Sequence, residues 1–354
     1  MPLEAKPWLM ERVADAYAAA GVDISAGNAA VSLYKKLAES WTHPDQIGGI
    51  GAFNGLFRLP GDPERALVAS TDGVGTKLLI AIALERYGTV GADLVNHCVN
   101  DILVANAKPL FFLDYVAVGK LVPATAAEIV AGIHGACREN EMALLGGETA
   151  EMPGLYKPGD FDLAGTIVGI VDLSDLPRTE DVQPGDAVVA LPAVGLHTNG
   201  YSLARSLVPQ AEWQTTVPDS GGTTFADALL APHPSYLRTV QAIRAVAHIK
   251  AMAHITGGGL LENVPRTLPA TSKAILEQTR WQVPPLMRDL VRRGNLSHED
   301  RYRTFNMGIG YTLIVPLAEA PRALAAAPGA FVAGWIETRA AGEPAVVVHP
   351  ARER

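Results

Sequence analysis

The chain has 354 residues, 48% of them hydrophobic, and a formal net charge of −8 at pH 7. Its size predicts a large core shared by two domains, and its negative charge argues against binding to nucleic acid, which relies on clustered Lys and Arg. The sequence has no apolar run close to the length of a membrane span, about 18 residues, and no N-terminal signal pattern of charged residues followed by apolar ones. These features lead us to expect a cytoplasmic protein without a membrane partner. The chain has two cysteines, which are too few for a disulfide framework.

Hydrophobic periodicity predicts both helices and strands in the first half of the chain. The first 20 or so residues could form a loosely held arm or helix. In chain order, the further predicted elements are an amphipathic helix over 28–41, a glycine-rich loop over 47–55, strands over 56–59 and 66–69, a strand over 110–118, a helix over 125–140 and a strand over 162–171.

The second half begins after a segment rich in turn residues, 172–185, which contains two prolines. We place the domain boundary there, giving domains 1–173 and 174–354. Apolar strands are predicted at 187–191 and 346–348, and alternation with helical stretches predicts an α/β fold. Each half contains a glycine-rich turn, so we expect both halves to contribute backbone donors to one site between them.

The most informative stretch follows the strand over 66–69. Within one turn it contains a carboxylate, two glycines, a hydroxyl and a lysine: Asp72, Gly73, Gly75, Thr76 and Lys77. Glycines let backbone N–H groups approach phosphate oxygens, a carboxylate can hold a divalent cation, and a lysine can neutralise phosphate charge. The stretch predicts a nucleotide-phosphate site, and a polar turn before a helix is the alternative.

A second group has the spacing of neighbouring turns of one helix: Asp93, His97, Asn100 and Asp101. Asn100 and Asp101 could reach the same Mg²⁺ as Asp72, because Mg²⁺ prefers oxygen ligands and is usually shared between a few carboxylates and nucleotide phosphates. A solvated helix face would give the same spacing.

A third group combines two glycines with acids after a short apolar strand. Gly146 and Gly147 precede Glu148, Thr149 and Glu151. We interpret this order as a second turn that faces a phosphate or a metal. A simple reverse turn would explain the glycines, but it would not explain the acid-hydroxyl-acid order.

His197 is the histidine selected for chemistry, because it lies in a loop that enters a helix near Tyr201. The positive end of a helix dipole disfavours a charged imidazole, and a neutral imidazole can donate a hydrogen bond or act as a base. Surface or structural roles are expected for the other histidines, including His43, His134 and His349.

Three successive glycines, 257–259, precede a short helical pattern in the second half. Successive N–H groups at a helix start suit an anionic group such as a ribose phosphate. A flexible hinge is the structural alternative.

Taken in order, these segments resemble the phosphoribosylformylglycinamidine cyclo-ligase family over about residues 20–335. The likeness is carried by 20–28, 71–77, 98–101, 109–115, 146–153, the His197 loop, 256–266 and 302–310. The resemblance implies ATP-dependent closure of the imidazole ring of 5-aminoimidazole ribonucleotide from formylglycinamidine ribonucleotide, with release of ADP and phosphate. It also implies a homodimer whose N-terminal sheets pair across the two-fold axis into a barrel, with a C-terminal α/β domain of mixed sheet flanked by helices.

The resemblance also implies roles for individual residues. Asp72 and Asp101 would hold Mg²⁺, and Asp101, His197 and Lys77 would be catalytic. The ATP-binding residues would be Lys35, Gly48, Gly49, Gly51, Asp72, Gly73, Gly75, Thr76, Lys77, Asn100 and Glu148. The substrate would be bound by Asp114, His197, Asn199, Thr256, Gly257, Gly258 and Gly259. The sequence leaves a requirement for K⁺ open.

The chain departs from the family pattern at Ala52 and Asn54, where glycine is usual, and at Thr198, where serine is usual. Related alternatives are a selenophosphate synthetase, a thiamine-monophosphate kinase and a hydrogenase-maturation protein. The first would normally have a reactive Cys near its N-terminus, and none precedes Cys98. The kinase lacks the 111–115 and His197 segments as they occur here. A catalytically silent nucleotide-binding scaffold is the alternative from another functional class.

Overall fold

A computed structural model describes Gly21 and residues 24–351 of the chain. The predicted arm over the first 20 or so residues lies outside these described residues. Two six-stranded sheets, one in each half, form the framework of the protein. The mixed α/β class and the two-domain organisation are therefore confirmed, whereas the exact boundary at 173/174 stays a prediction.

The first sheet has the strand order β1-β2-β3-β6-β4-β5, and its neighbours are antiparallel except for the parallel pair β4-β5. Its strands are β1 (Gln46–Ile47), β2 (Gly55–Arg58), β3 (Arg65–Gly73), β4 (Lys108–Val118), β5 (Ala143–Glu151) and β6 (Phe161–Asp172). The helices of this half are α1 (Ile24–Glu39), α2 (Leu78–Leu84), α3 (Val90–Leu103) and α4 (Pro123–Glu139).

Helix α3 lies at the centre of the molecule. Its residues are buried along nearly the whole helix, including the polar side chains of Asp93, Asn100 and Asp101. One side packs on β3 and β6, where alternate residues of β6 face inward as expected for a strand with one covered face. Other side chains of α3 reach the second half, so this helix carries polar groups into the contact between the halves.

The second sheet has the order β12-β9-β11-β7-β10-β8, antiparallel except for β12-β9. Its strands are β7 (Ala187–Pro192), β8 (Ala251–His254), β9 (Ser272–Glu277), β10 (Ile309–Val315), β11 (Phe331–Thr338) and β12 (Val346–His349). The helices are α5 (Tyr201–Leu207), α6 (Phe225–Leu229), α7 (Leu237–Arg244), α8 (Gly259–Asn263), α9 (Pro285–Gly294), α10 (His298–Thr304) and α11 (Ala320–Ala326).

One predicted turn begins later in the chain than expected, and a second is wrong because the strand continues through it. Strand β3 runs to Gly73, so Asp72 lies on a strand. Strand β5 runs to Glu151 and pairs Gly147 with Asp114 of β4. A Cβ at Gly147 would lie 2.3 Å from Asp114 Oδ1, so glycine is needed there for close strand packing and not for a turn.

Helix α1 forms as predicted, but its apolar side chains are not covered within one chain. Leu37 and Trp41, which follows the helix, are 71% and 73% exposed. Pairing of the first sheets across a dimer is not seen in a single chain and stays a prediction. Among the residues that the structure describes, no helix is long and apolar enough to cross a membrane.

Candidate active site

The two halves meet at a cleft of about 370 Å³. The end of β3 and helix α3 form one wall, and the loops after β7 and β8 form the other. The lining residues are Asp72, Gly73, Val74, Gly75, His97, Thr198, Asn199, Thr256 and Gly257. Segments predicted separately from the sequence therefore converge on one cavity that both halves build.

A chain of charges lies at the floor of this cleft. His97 Nε2 is 2.6 Å from Asp72 Oδ2 and 3.8 Å from Asp101 Oδ2. Burial alone would lower the pKa of His97, but these two carboxylates outweigh it and raise the pKa to about 9. Burial also acts to raise the pKa of Asp72, yet the charge and hydrogen bond of His97 hold it below its usual value. At neutral pH His97 is therefore an imidazolium that lies between the carboxylates of Asp72 and Asp101.

Asp101 connects this floor to three other parts of the molecule. Ser70 Oγ donates a hydrogen bond to its Oδ2 at 3.2 Å, and His254 Nδ1 lies 2.8 Å from its Oδ1. Asn54 Nδ2, at the end of the glycine-rich loop, donates to its backbone carbonyl at 2.7 Å. The departure from glycine at Asn54 thus supplies a side chain that fastens the loop to α3.

Lys77 does not face the cleft. It is fully buried, and its Nζ is 2.7 Å from Asp93 Oδ2 and donates to the carbonyl of Ala231 at 2.7 Å. Burial lowers the pKa of Lys77 and raises that of Asp93, and the attraction between the two opposes both shifts. The ion pair lies within the first half, and the hydrogen bond from Lys77 to Ala231 ties it to the second half, while the predicted phosphate contact of Lys77 stays untested.

His197 is also buried, at the position expected before α5 but behind the cleft wall. Its ring stacks on His233 with centroids 4.1 Å apart, and neither ring nitrogen has a partner among the described residues. Burial holds the pKa of His197 well below its usual value, so the imidazole is neutral as predicted. A direct contact with substrate stays a prediction.

His233 and His254 are buried polar residues that sequence reasoning missed. His254 Nε2 and His233 Nε2 lie 3.2 Å apart. The centroid of the His97 ring is 5.4 Å from that of His233 and 4.9 Å from that of His254. The available signals were weak: His233 lies between two prolines, and His254 ends the apolar strand β8 just before the glycine turn. Only the fold brings these positions together with α3.

Asn100 is held firmly by the second half. Its Oδ1 accepts a hydrogen bond from the backbone N–H of Tyr236 at 2.9 Å, and its Nδ2 donates to the carbonyl of Pro234 at 2.9 Å. The Asn100 side chain is fully buried, so Asn100 acts here as a connector between the halves. Its predicted contact with ATP stays untested.

A second cavity, of about 710 Å³, lies between α1 and the glycine-rich loop. Lys35 and Arg266 give it two positive charges, and Arg266 also lies over the Phe53 ring at 5.0 Å. The predicted loop glycines Gly48, Gly49 and Gly51 line it as well. A Cβ at Gly51 would lie 2.6 Å from Lys35 Cε, so the predicted Lys35 and the loop are neighbours.

The remaining predicted residues lie outside these two cavities. Thr76 Oγ1 is 3.2 Å from Ser202 Oγ of the second half, and Glu148 is exposed on β5. Strand β6 lies between β3 and β4, and its Gly165 pairs with Asp72 on one side and with Asp114 on the other. The two acids are therefore two strand spacings, about 10 Å, apart. Burial raises the pKa of Asp114.

Close neighbours and backbone conformation explain why glycine occupies positions 258 and 259. Both have positive φ, and a Cβ at Gly259 would lie 2.1 Å from the carbonyl of Tyr302. The sequence predicts phosphate binding by the start of a helix at these glycines. Helix α8 has only five residues, so its dipole is weaker than that prediction requires. Of the three glycines, Gly257 is the one that lines the cleft.

Comparison with known proteins agrees with this arrangement. Residues 52–171 match the family described as AIR synthase related protein, N-terminal domain, and residues 183–346 match its C-terminal domain. The phosphoribosylformylglycinamidine cyclo-ligase of Desulfitobacterium hafniense is 48% identical over 84% of this chain and 88% of the relative. The chain belongs to this family. The cyclo-ligase of a Picosynechococcus species is 44% identical over 94% of this chain and 98% of its own length.

Solved structures share the fold at low sequence identity. The hydrogenase maturation protein HypE in complex with ATP is 19% identical, with a TM-score of 0.61 over 80% of this chain and 82% of that one. AaThiL complexed with AMPPCP and TMP is 15% identical, with a TM-score of 0.59 over 92% and 94%. These similarities show the fold of the chain and no more.

Proposed function

We propose that the protein closes the imidazole ring of 5-aminoimidazole ribonucleotide from formylglycinamidine ribonucleotide, using ATP and releasing ADP and phosphate. The single observation that carries this proposal is the convergence of Asp72, His97, Asn199 and Gly257 from both halves on one cleft. Membership of the cyclo-ligase family supports the reaction. Nucleotide complexes of two proteins with the same fold support ATP as the co-substrate.

The chemistry needs positioning and charge neutralisation more than a covalent catalyst. An amide oxygen is a poor leaving group until it is phosphorylated, after which an amidine nitrogen of the same molecule can attack the carbon and close the ring. Phosphoryl transfer to that oxygen depends on alignment and on opposite charge near the phosphates. In this proposal the strand-end N–H groups near Gly73 and Gly75 approach the phosphates, and the loops at Asn199 and Gly257 hold the acceptor.

The donor set at the cleft floor fits Mg²⁺. Ligand atoms of Asp72, Asp101 and the intervening His97 lie within 4.8 Å of one another, and the two carboxylates offer the oxygen ligands that Mg²⁺ prefers. The protonated His97 orients Asp72 and is not itself a ligand. When bound, the ion would supply charge neutralisation for the triphosphate. The surrounding residues orient these acids: Ser70 and His254 hold Asp101, and His97 holds Asp72.

We also propose that the protein is a homodimer that pairs its first sheets. Strand β5 is an edge strand of that sheet, and apolar side chains near the edge are exposed in the single chain: Leu113, Tyr115 and Leu145. Exposed apolar edges favour association with a second copy. Light scattering of the purified protein tests this, and a monomer at all concentrations would contradict it.

The activity test measures two products together. Purified protein is incubated with formylglycinamidine ribonucleotide, ATP and Mg²⁺, and we expect 5-aminoimidazole ribonucleotide and ADP in equal amounts. Omission of the ribonucleotide should abolish ADP formation. ADP without ring closure would instead indicate a kinase, and nucleotide binding without either product would indicate a scaffold.

A further inference from the structure

The buried histidines behind the cleft contain a hydrogen-bonding conflict. Asn100 fixes its amide orientation, because Oδ1 accepts from Tyr236 and Nδ2 donates to Pro234. The second hydrogen of Nδ2 is then available to His233 Nε2, which is 3.2 Å away. An N–H donor satisfies this nitrogen only if His233 Nε2 carries a lone pair and no hydrogen.

The second nitrogen in the conflict belongs to His254. Its Nδ1 is 2.8 Å from a carboxylate oxygen of Asp101, and a carboxylate accepts, so the hydrogen of His254 is on Nδ1. In the neutral imidazole, His254 Nε2 is then bare as well. It lies 3.2 Å from the bare Nε2 of His233, so two lone pairs face each other in a fully buried place. The hydrogen left on His233 Nδ1 has no acceptor among the described residues.

Two facing imidazole lone pairs are the arrangement that a metal ion resolves. Tetrahedral Zn²⁺ binds histidine nitrogens at about 2.0–2.1 Å, which places two such ligands roughly 3.3 Å apart. The observed separation of 3.2 Å matches. The bond from His254 to Asp101 is also the carboxylate–histidine contact that orients metal-bound imidazoles.

We propose that His233 and His254, with His97 as the third ligand, form a buried site for a divalent transition metal of the Zn²⁺ class. Ligand atoms of these three residues lie within 4.8 Å of one another. His97 must turn one nitrogen away from Asp72 or Thr198 to close the site, and the ion then competes with a proton there. The site is distinct from the carboxylate pair assigned to Mg²⁺, because imidazole nitrogens suit Zn²⁺ and oxygen ligands suit Mg²⁺.

Such an ion would join the two halves of the molecule. His97 belongs to α3, whereas His254 ends β8 and His233 lies in the loop before α7. An ion bound to the folded protein but not to the unfolded chain stabilises the folded state. The proposal stands whether or not the protein closes an imidazole ring, because neither the ion nor its test depends on turnover.

The test uses the full-length protein without nucleotide. After metal removal, the protein is titrated with Zn²⁺ alone and with Co²⁺ alone, followed by dialysis and metal analysis. We expect one ion retained per chain, a visible absorption spectrum of Co²⁺ in a low-coordinate nitrogen site, and a higher unfolding midpoint with Zn²⁺. Mutation of a residue that only hydrogen-bonds to a metal ligand costs about 10–100-fold in metal affinity. His233→Asn and His254→Gln each remove a ligand, so we expect each to weaken Zn²⁺ binding by more than that.

His134→Asn is the matched control, because His134 is exposed on α4 and should leave binding unchanged. Asp72→Asn separates the two metal sites, since it removes a carboxylate but none of the three imidazoles. If His233→Asn fails to fold, His254→Gln and the spectrum of the unaltered protein still decide the matter. The proposal is overturned if the unaltered protein retains no stoichiometric ion, or if binding survives the histidine changes; its loss in Asp72→Asn would then assign the ion to the carboxylates.

Discussion

Asp72 and Lys77 lie five positions apart in one glycine-rich segment, yet the fold puts them in opposite environments. The Asp72 carboxylate is 41% exposed at the cleft and is 2.6 Å from His97. The Lys77 ammonium is fully buried and is 2.7 Å from an equally buried Asp93. Both form a close ion pair, but only the first is open to a ligand.

The difference arises from local structure. Asp72 ends a strand at the edge of the cleft, whereas Gly75 and the short 3₁₀ turn that follows direct Lys77 inward, beneath α3 and the loop at Ala231. A buried ion pair loses solvation on both sides and leaves an unpaired charge if one partner is removed. An exposed carboxylate can exchange its partner for a ligand. The comparison predicts that Lys77 determines stability and Asp72 determines activity.

The largest expected effect follows from breaking the buried pair. Lys77→Met leaves Asp93 without its cation, and we expect a loss of about 3–5 kcal/mol in the free energy of unfolding. Denaturant unfolding measures it. The double variant Lys77→Met/Asp93→Asn should recover part of the loss, because the amide carries no charge. A single variant as stable as the unaltered protein would refute the structural role of Lys77.

The next largest effect concerns turnover. Asp72→Asn keeps the side-chain size but removes the charge, and we expect ring closure to slow by about 10²-fold, the usual scale for a positioned electrostatic group. Its unfolding free energy should change much less than that of Lys77→Met. Glu64→Gln is the control, because Glu64 is an exposed acid just before the start of β3. Normal turnover in Asp72→Asn would remove Asp72 from the proposed site.

Sequence patterns predicted most of the framework, because its strands and helices have clear periodicity. Strand β6 alternates buried and outward residues, and α4 begins with a proline in its first turn. The β5 prediction failed because two glycines in a row are typical of a turn, while here Gly147 makes room for Asp114. Asp72 and Gly257 could be selected for the cleft from residue type alone. The sequence pattern places His97 on the same helix as Asp101 but does not single it out for chemistry. His233 and His254 could not, since their partners are more than a hundred residues away along the chain or lie on other elements.

A smaller effect tests the packing behind the cleft. A Cβ at Gly310 would lie 1.8 Å from Tyr236 Oη and 2.6 Å from His197 Cε1. Gly310→Ala must displace one of them, and we expect a cost of about 1–3 kcal/mol in unfolding free energy. Gly135→Ala is the control, because that helical position has no atom within 4 Å of an added Cβ. It should be neutral or stabilise the protein by up to about 1 kcal/mol.

The smallest effect extends the comparison to the surface. Arg86 and Asp227, one from each half, form an ion pair of 2.8 Å, but both side chains are about half exposed. Solvent screens such pairs, so Arg86→Ala should change the unfolding free energy by less than about 1 kcal/mol and less still at high salt. Thermal unfolding at two salt concentrations measures this. A loss comparable with that of Lys77→Met would mean that burial does not separate the two pairs.

The most direct measurement is a crystal structure with Mg²⁺, a non-hydrolysable ATP analogue and formylglycinamidine ribonucleotide. We predict that the nucleotide phosphates lie between the end of β3 and the loop at Gly257, with the ion on Asp72 or Asp101. Lys77 should keep its bond to Asp93 in that complex. Ligands bound elsewhere, such as in the cavity of about 780 Å³ beside Trp281 and Arg288, would contradict the account.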